Sequence, residues 1–294
     1  MIRIGLLGSE SWHAFTLAKE CNIPDENGKF LIDDCRVTAI CGIDDNEEHT
    51  LEVAKSGNIP HIVNTPEELF PLCDAVMILM RRGGERVSYA LPFLRAGYPV
   101  FLDKPVCTTK EDMEILRREV QARNCIITGG STVKYSSGMT EVKEYLQSGA
   151  AGRVLGMSYN DCADMNDPYD GLFFYLCHAV EVMLQTMGYD VKSVEVSAFD
   201  NKNFSVYCTY PEVFANLILA DCANKRFVTI YGTKTTETFY MDYMGLSKGC
   251  LLEFADKIRN KTYITSQELE ELMMHVPVVQ AAIEASQTGK KVLL

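Results

Sequence analysis

The stretch IRIGLLGSESWHAF, residues 2–15, decides the fold of this chain. A short apolar run, Ile2–Leu7, leads into Gly8 and then into a segment with a helical pattern. A strand that ends in glycine and feeds a helix is typical of a dinucleotide-binding unit, where G-x-G-x-x-G places the phosphates over the helix N-terminus. Here Glu10 and His13 stand in place of the second and third glycines. The stretch predicts the shape of a nucleotide turn with altered chemistry.

Glu10 is the main objection to nucleotide binding at this turn. A carboxylate beside a phosphate at 4 Å is repelled by roughly 1–4 kcal/mol, depending on screening. The site therefore requires that the Glu10 carboxylate turns away from the phosphates. The alternative is an ordinary strand-to-helix turn, in which Ser9 or Ser11 caps the helix. If the turn binds a cofactor, the residues expected to contact it are Gly8, Ser9, Ser11, Trp12 and His13.

The first part of the chain alternates apolar strands with amphipathic helices. The predicted strands after the first are Arg36–Cys41, Ala75–Met80, Pro99–Leu102 and Cys125–Thr128. The predicted helices are His13–Cys21, His49–Ser56, Arg86–Ala96 and a helix that Thr109 caps and that ends near Arg123. Continuous apolar strands that alternate with helices indicate a parallel sheet covered on both faces. We therefore expect an α/β fold with a Rossmann dinucleotide-binding domain at residues 1–127.

After residue 130 the pattern changes. Five strand-like segments follow with few intervening helices: Leu155–Tyr159, Ser193–Ala198, Ser205–Tyr210, Phe214–Leu219 and Arg226–Tyr231. Helices are predicted at Leu172–Met187 and, as one long element, at Ser266–Ser286. The pattern predicts a second, α+β domain at residues 128–294, with a large and mainly antiparallel sheet. Ligands often bind at such domain interfaces.

Two acids, Asp44 and Asp45, follow the second predicted strand. A carboxylate in this place accepts hydrogen bonds from the adenine ribose hydroxyls and repels the extra phosphate of NADP. The alternative is that both merely cap the next helix. If either binds ribose, NAD is favoured, and NADP is the alternative cofactor.

Composition limits the function classes. The net charge of −12, without a Lys/Arg-rich segment, argues against a nucleic-acid partner. No apolar run approaches the roughly 20 residues that cross a bilayer, and the N-terminus has no signal-peptide pattern, so we expect a cytoplasmic protein that does not bind membranes. The eleven cysteines form no C-x-x-C pair, and we expect reduced thiols and no metal site.

Four motifs, taken in order, carry a family resemblance. They are Ala96-Gly97 followed by Asp103-Lys104-Pro105, Gly149-Ala-Ala-Gly152, the segment Gly171–Glu181 that contains His178, and Val228–Gly232. Together they resemble the family of glucose–fructose oxidoreductase and inositol dehydrogenase, in an atypical branch. The acid–Lys–Pro motif of that family usually has Glu where this chain has Asp103. The resemblance extends over nearly the whole chain.

The resemblance implies a reaction and a set of roles. The family transfers a hydride between a nicotinamide and a carbinol carbon of a sugar, sugar derivative or cyclitol. Lys104 matches the lysine that holds the substrate hydroxyl, and His178 matches the histidine proposed as general base or acid. Asp103, Lys104 and Pro105 are expected beside the NAD cofactor. The open sheet face implies a homo-oligomer, a dimer or a tetramer.

Several positions depart from the family pattern. Phe174 stands where an aspartate usually lies one turn before the histidine, and Tyr175 is the candidate to supply a hydroxyl instead. Glu181 is expected to support the imidazole, and Lys134 to lie near the substrate. Each has a structural alternative: His178 and Tyr175 as core residues, Lys134 as a solvated side chain, and Lys104 as a surface lysine.

Two other functions stay open at this point. Glu10 and Phe174 favour a catalytically impaired member that serves as a sugar or nucleotide sensor, or as a partner subunit. The other open function is that of an enzyme whose tightly bound NAD works in a closed redox cycle, giving net hydrolysis, epimerisation or elimination.

Overall fold

The computed structural model describes residues 1–43, 47–221, 225–243 and 245–294. Within them, the helices are α1 (Trp12–Asn22), α2 (Glu47–Ser56), α3 (Gly83–Arg95), α4 (Lys110–Ala122), α5 (Ser137–Ser148), α6 (Leu172–Met187), α7 (Leu246–Asn260), α8 (Ser266–Met273) and α9 (His275–Thr288). The strands are β1 (Ile2–Leu7), β2 (Cys35–Cys41), β3 (His61–Val63), β4 (Ala75–Ile78), β5 (Val100–Leu102), β6 (Ile127–Gly129), β7 (Val154–Asp161), β8 (Ser193–Ala198), β9 (Phe204–Thr209), β10 (Phe214–Leu219), β11 (Phe227–Gly232), β12 (Thr236–Tyr240) and β13 (Val292–Leu293).

The first compact unit contains residues 1–130 and 247–272. Its sheet has the strand order β3-β2-β1-β4-β5-β6, and all its strand pairs are parallel. β4 and β5 are buried throughout, as expected for strands covered on both faces. The predicted Rossmann fold is confirmed. The strand order reverses between β1 and β4, and ligands of such sheets bind in the crevice at the carboxyl ends of these strands.

Residues 247–272 join this unit through contacts that the sequence patterns did not indicate. The backbone N–H of Ile264 donates to the carbonyl of Cys125 at 2.9 Å. Arg117 on α4 forms an ion pair with Glu270 on α8 at 2.6 Å. These contacts attach α8 and the loop before it to the α4–β6 edge of the parallel sheet.

The second compact unit contains residues 131–246 and 273–294. Its sheet has the order β12-β11-β7-β10-β9-β8-β13. The described strand pairs are antiparallel except β10 with β7, which is parallel. Helices α6 and α9 pack against this sheet, so the predicted mainly antiparallel sheet is confirmed.

Two predicted helix features have clear outcomes. The hydroxyl of Thr109 accepts a hydrogen bond from the backbone N–H of Asp112 at 3.1 Å, so the predicted cap of α4 is confirmed. The single helix predicted at Ser266–Ser286 is wrong, because α8 ends at Met273 and α9 begins at His275. Pro277 has no N–H to donate to the carbonyl four residues earlier, that of Met273, which explains the break.

No helix in the described part of the chain is both long and apolar enough to span a bilayer. Among the same residues, no group of three or more His, Cys, Asp or Glu side chains is arranged to hold a metal ion.

Candidate functional site

The nucleotide turn begins at Gly8, where β1 ends beside the end of β4. Gly8 has φ +94°, a conformation that favours glycine. A Cβ on Gly8 would lie 2.4 Å from the backbone nitrogen of Met80. The first glycine of the fingerprint therefore serves both the tight turn and the close approach of two loops.

The two serines of this turn have different surroundings. The Ser9 hydroxyl lies 2.7 Å from the Thr50 hydroxyl on α2, so its hydrogen bond is to the protein. Ser11 is the N-cap residue of α1, but its side chain makes no capping bond. The buried Ser11 Oγ has no hydrogen-bond partner among the described residues. A buried hydroxyl at a helix N-terminus that lacks a partner suits a ligand oxygen, such as a phosphate.

Trp12 is the first residue of α1 and directly follows Ser11. Its ring stacks on that of Phe15 with centroids 5.0 Å apart, and the residue is 69% exposed. The chain contains no other tryptophan. Trp12 is therefore a natural fluorescent reporter of events at the nucleotide turn.

The Glu10 carboxylate is hydrogen-bonded to the loop that follows β4. Its Oε1 accepts a hydrogen bond from the backbone N–H of Arg81 at 2.6 Å, in the loop between β4 and α3. Its Oε2 is buried and has no hydrogen-bond partner in the described structure. The carboxylate is thus fixed against the loop between β4 and α3.

His13 pairs with the acid of the Asp103-Lys104-Pro105 motif. Nδ1 of His13 lies 2.9 and 2.8 Å from the two carboxylate oxygens of Asp103, which is 2% exposed. Burial by itself raises the pKa of Asp103, but the charges of His13, Arg86 and Lys104, with the His13 hydrogen bond, outweigh it. They lower that pKa from 3.8 to about 2, and Asp103 is an anion at neutral pH.

Arg86, on α3, connects the loop after β4 with the loop after β5. It is fully buried, and its guanidinium donates to the carbonyl of Pro105 and to that of Met80. The peptide bond between Lys104 and Pro105 is cis. Gly83, at the start of α3, allows close contact here, since a Cβ would lie 2.2 Å from Cγ of Pro105.

The three loops at the carboxyl ends of β1, β4 and β5 are therefore joined pairwise. Glu10 bonds the first loop to the second, Arg86 bonds the second to the third, and the Asp103 carboxylate in the third bonds back to His13 on α1. Lys104 lies in the third loop and is itself buried. This closed set of side-chain contacts holds Lys104 and the nucleotide turn in one fixed arrangement.

The arrangement fits a dinucleotide. Gly8, Ser9 and Ser11 present the backbone of the turn at the N-terminus of α1, and the Ser11 hydroxyl has capacity for a phosphate oxygen. Asp103, Lys104 and Pro105 lie in the same unit. Glu10 is the unfavourable element. The predicted ribose ligands Asp44 and Asp45 lie outside the described residues.

In the second unit, His178 on α6 is buried, and its Nδ1 lies 2.6 Å from the hydroxyl of Ser131. That contact fixes the orientation of the imidazole, and a partner on one ring nitrogen defines the role of the other. Tyr175 lies one turn before and is 38% exposed. Its ring centroid is 6.3 Å from that of His178. Phe174 is buried and packs edge-on against Tyr175 at 4.7 Å.

Glu181, one turn after His178, belongs to a polar cluster. Gln185 donates to Glu181 at 3.2 Å and accepts from Lys143 on α5 at 3.1 Å. Burial lowers the pKa of Lys143, the nearby charge of Lys134 lowers it further, and Glu181 opposes both. Lys134 and Glu181, which were predicted separately, are thus electrostatically linked to the same lysine.

Sequence reasoning missed three residues of these sites: Arg86, Ser131 and Lys143. Arg86 was assigned only to a helix, because a buried arginine on two carbonyls leaves no spacing signal. Ser131 lies three residues before Lys134, and its contact with His178, 47 positions later on α6, has no signal in the sequence. Only Ser131 lies close in sequence to a predicted site residue, Lys134.

Residues 3–131 match the model of a protein family described as an oxidoreductase family with an NAD-binding Rossmann fold. Over these residues the chain is similar to the family that its sequence motifs resemble. This match agrees with the NAD cofactor predicted for the first part of the chain.

Comparison with single proteins agrees with that family. The chain is 30% identical over 96 residues to inositol 2-dehydrogenase of Gluconacetobacter diazotrophicus, a match that covers 32% of this chain and 28% of that relative. Two Lactobacillus casei structures share the fold. Myo-inositol dehydrogenase with NAD(H) and myo-inositol has a TM-score of 0.81 at 15% identity, over 100% of this chain and 97% of that one. Scyllo-inositol dehydrogenase with NAD(H) and scyllo-inositol has a TM-score of 0.83 at 16% identity, over 100% and 99%.

Proposed function

We propose that this protein is an NAD-dependent oxidoreductase that transfers a hydride between the nicotinamide and a hydroxyl-bearing carbon of a sugar, sugar derivative or cyclitol. The observation that carries the proposal is the buried Asp103-Lys104-Pro105 turn, which His13 joins to the nucleotide turn within an NAD-binding domain. The inositol dehydrogenase neighbours support the choice of a polyhydroxylated substrate.

NAD supplies the hydride-accepting centre of such a reaction. In the proposal, the backbone of Gly8, Ser9 and Ser11 binds its phosphates, with Trp12 and His13 beside them. Asp44 or Asp45 binds the adenine ribose, which favours NAD over NADP.

The protein side chains handle the substrate hydroxyl. Lys104 donates a hydrogen bond to that hydroxyl and polarises it, as a buried ammonium can. His178 takes up the hydroxyl proton on the ring nitrogen that does not face Ser131, and returns it in the reverse direction. Tyr175 offers a further hydroxyl, while Lys134 and Glu181 border the substrate.

Nicotinamide binding gives the first test. Energy transfer from Trp12 to NADH reports binding without knowledge of the substrate, and the same titration with NADPH decides between the cofactors. Saturable binding of NADH is expected, and its absence with both cofactors contradicts the proposal.

Turnover gives the second test, with a panel of sugars, sugar acids and cyclitols assayed by NADH formation. Lys104→Ala is expected to abolish turnover while NADH still binds. Lys110→Ala, which removes an exposed lysine six residues later, is the matched control and is expected to keep wild-type rates. Equal rates in both variants would exclude the role given to Lys104.

A second candidate function is a sensor or partner subunit that binds the nucleotide without turnover. The buried Glu10 Oε2 without a partner and the apolar Phe174 favour it. NADH binding combined with no turnover on the whole panel would support this candidate and contradict the enzyme.

We also propose that the protein is a homo-oligomer. The sheet of the second unit has aromatic residues on one face, where Phe214 stacks on Tyr207 and on Tyr231, each with centroids 6.0 Å apart. Tyr207 is exposed and the other two rings are partly exposed, and aromatic clusters of this kind commonly mark protein–protein contacts.

A further inference from the structure

The contact between His13 and Asp103 joins two departures from the usual sequence pattern. The third glycine of a dinucleotide fingerprint permits close packing of the helix on the sheet, and here an imidazole fills that place. The acid of the acid–Lys–Pro motif is shorter than usual by one methylene group. The two carboxylate oxygens of Asp103 lie 2.9 and 2.8 Å from the same nitrogen, Nδ1 of His13.

The lengths of these two side chains depend on each other. A glutamate at position 103 would carry its carboxylate about 1.5 Å further, the length of one C–C bond, into the place of the imidazole. A glycine at position 13 would leave the buried Asp103 carboxylate without its nearest donor. An unpaired buried charge of this kind is strongly unfavourable.

The location of the pair gives it a functional consequence. Asp103 directly precedes Lys104, and Arg86 holds the far side of the turn at Pro105. His13 lies two residues after Ser11, in the first turn of α1. A shift of the Asp103 side chain therefore changes the position of the Lys104 backbone and of the nucleotide turn together.

We propose that His13 is a positioning residue, which holds the Asp103-Lys104-Pro105 turn through Asp103, and that the side-chain lengths of His13 and Asp103 are matched to each other. The inference rests on the proposed function, because it assigns to the pair the placement of Lys104 and of the cofactor turn.

The experiment compares five variants of the full chain: His13→Gly, Asp103→Glu, the double variant His13→Gly/Asp103→Glu, His13→Asn and His13→Ala. Two quantities are measured for each variant, the thermal unfolding midpoint without cofactor and the NADH dissociation constant from Trp12 energy transfer. His49→Ala is the control, since His49 pairs with Glu52 at 3.6 Å on the surface of α2.

His13→Gly, His13→Ala and Asp103→Glu are each expected to weaken NADH binding about tenfold, the effect of losing one charge-assisted hydrogen bond. The double variant is expected to bind NADH more tightly than Asp103→Glu alone, because the longer acid then has the space left by the imidazole, but to stay weaker than wild type, since its carboxylate still lacks the His13 donor. His13→Asn is expected to behave like wild type, since its amide offers a donor close to the position of Nδ1. His49→Ala should leave both quantities unchanged.

A double variant that binds NADH no better than Asp103→Glu alone overturns the matched pair. Wild-type affinity in His13→Ala overturns the positioning role. If wild type does not bind NADH but the unfolding midpoint of the double variant lies above that of Asp103→Glu, the pair stands as a structural unit and the proposed function fails.

Discussion

Oε1 of Glu10 accepts a hydrogen bond from the backbone N–H of Arg81 at 2.6 Å. The residue that replaces a glycine in the phosphate turn is thus bonded to the loop after β4. Its second oxygen, Oε2, is buried without a hydrogen-bond partner in the described chain. Glu10 therefore fixes the geometry of the turn and at the same time brings a negative charge to it.

Glu10→Gln separates these two effects. The amide keeps an oxygen for the Arg81 N–H and removes the charge, so we expect NADH to bind about fivefold more tightly, since one charge at 4 Å in water is worth roughly 1 kcal/mol. Titration of Trp12 energy transfer with NADH measures the change. Glu26→Gln, in an exposed loop, makes the same change in net charge and should leave the affinity unaltered. Weaker binding in Glu10→Gln would show that the carboxylate assists the cofactor.

Gly8→Ala tests the contact between the turn and the loop after β4. Both Gly8 and Gly28 have positive φ angles, but a Cβ on Gly28 meets nothing within 4 Å, whereas one on Gly8 meets the Met80 nitrogen at 2.4 Å. We expect Gly28→Ala to lower the free energy of unfolding by about 1 kcal/mol. Gly8→Ala is expected to lower it by about 3 kcal/mol and to abolish NADH binding. If urea unfolding shows the same loss of unfolding free energy in both variants, the loop after β4 moves away from the added Cβ at little cost.

The fold was predictable from local patterns in the sequence. Gly8 after an apolar strand, Thr109 before an amphipathic helix and the apolar run Ala75–Met80 each predict their own element, because the cause lies within a few residues. The break between α8 and α9 was missed, although Pro277 gave a local reason for it. Helical periodicity on both sides outweighed a single residue without an N–H.

The candidate site was predictable as a set of residues and not as a set of contacts. Glu10 and His13 were each interpreted as a lost glycine, while their partners lie 71 and 90 positions away. Sequence spacing carries no information on such distant contacts until the sheet order is known. The compensation of His13 by a shorter acid at Asp103 therefore became visible only in three dimensions.

Asp103→Asn tests the electrostatics of the pair through its pH dependence. The pKa of Asp103 falls from 3.8 to about 2 on folding. A carboxyl whose pKa is lowered stabilises the folded state above its unfolded pKa, and that contribution disappears as the pH falls toward the folded value. We expect the variant to lose about 2 kcal/mol of unfolding free energy near neutral pH. The difference from wild type should shrink between about pH 4 and pH 2. A difference that stays constant over this range in urea titrations would contradict an anionic Asp103.

Ser131→Ala tests the orientation of His178. The Ser131 hydroxyl lies 2.6 Å from Nδ1 of His178 and also accepts a hydrogen bond from the backbone N–H of Val133 at 3.3 Å. Ser136→Ala is the matched control, because Ser136 accepts from the N–H of Met139 at 3.2 Å. Each substitution is expected to lower the free energy of unfolding by about 1 kcal/mol, because the serine hydroxyl no longer accepts the hydrogen bond from that backbone N–H. Only Ser131→Ala should lower kcat, by about tenfold, and shift the pH–rate profile. Equal kcat values in the two variants would remove Ser131 from the site.

Ile218→Glu tests whether the aromatic sheet face binds a second copy of the chain. Ile218 lies on β10 two positions after Asn216 and is 43% exposed, on the face that also carries Phe214. A charge in the middle of an apolar contact costs several kcal/mol on association, because the carboxylate loses its water without gaining a partner. We therefore expect the variant to sediment as a smaller species than wild type at equal concentration. Ile62→Glu is the matched control, since Ile62 is 45% exposed on β3 of the other sheet and should leave the sedimentation unchanged. If Ile62→Glu dissociates the assembly and Ile218→Glu does not, the contact lies on the parallel-sheet unit and the assignment to the aromatic face is wrong.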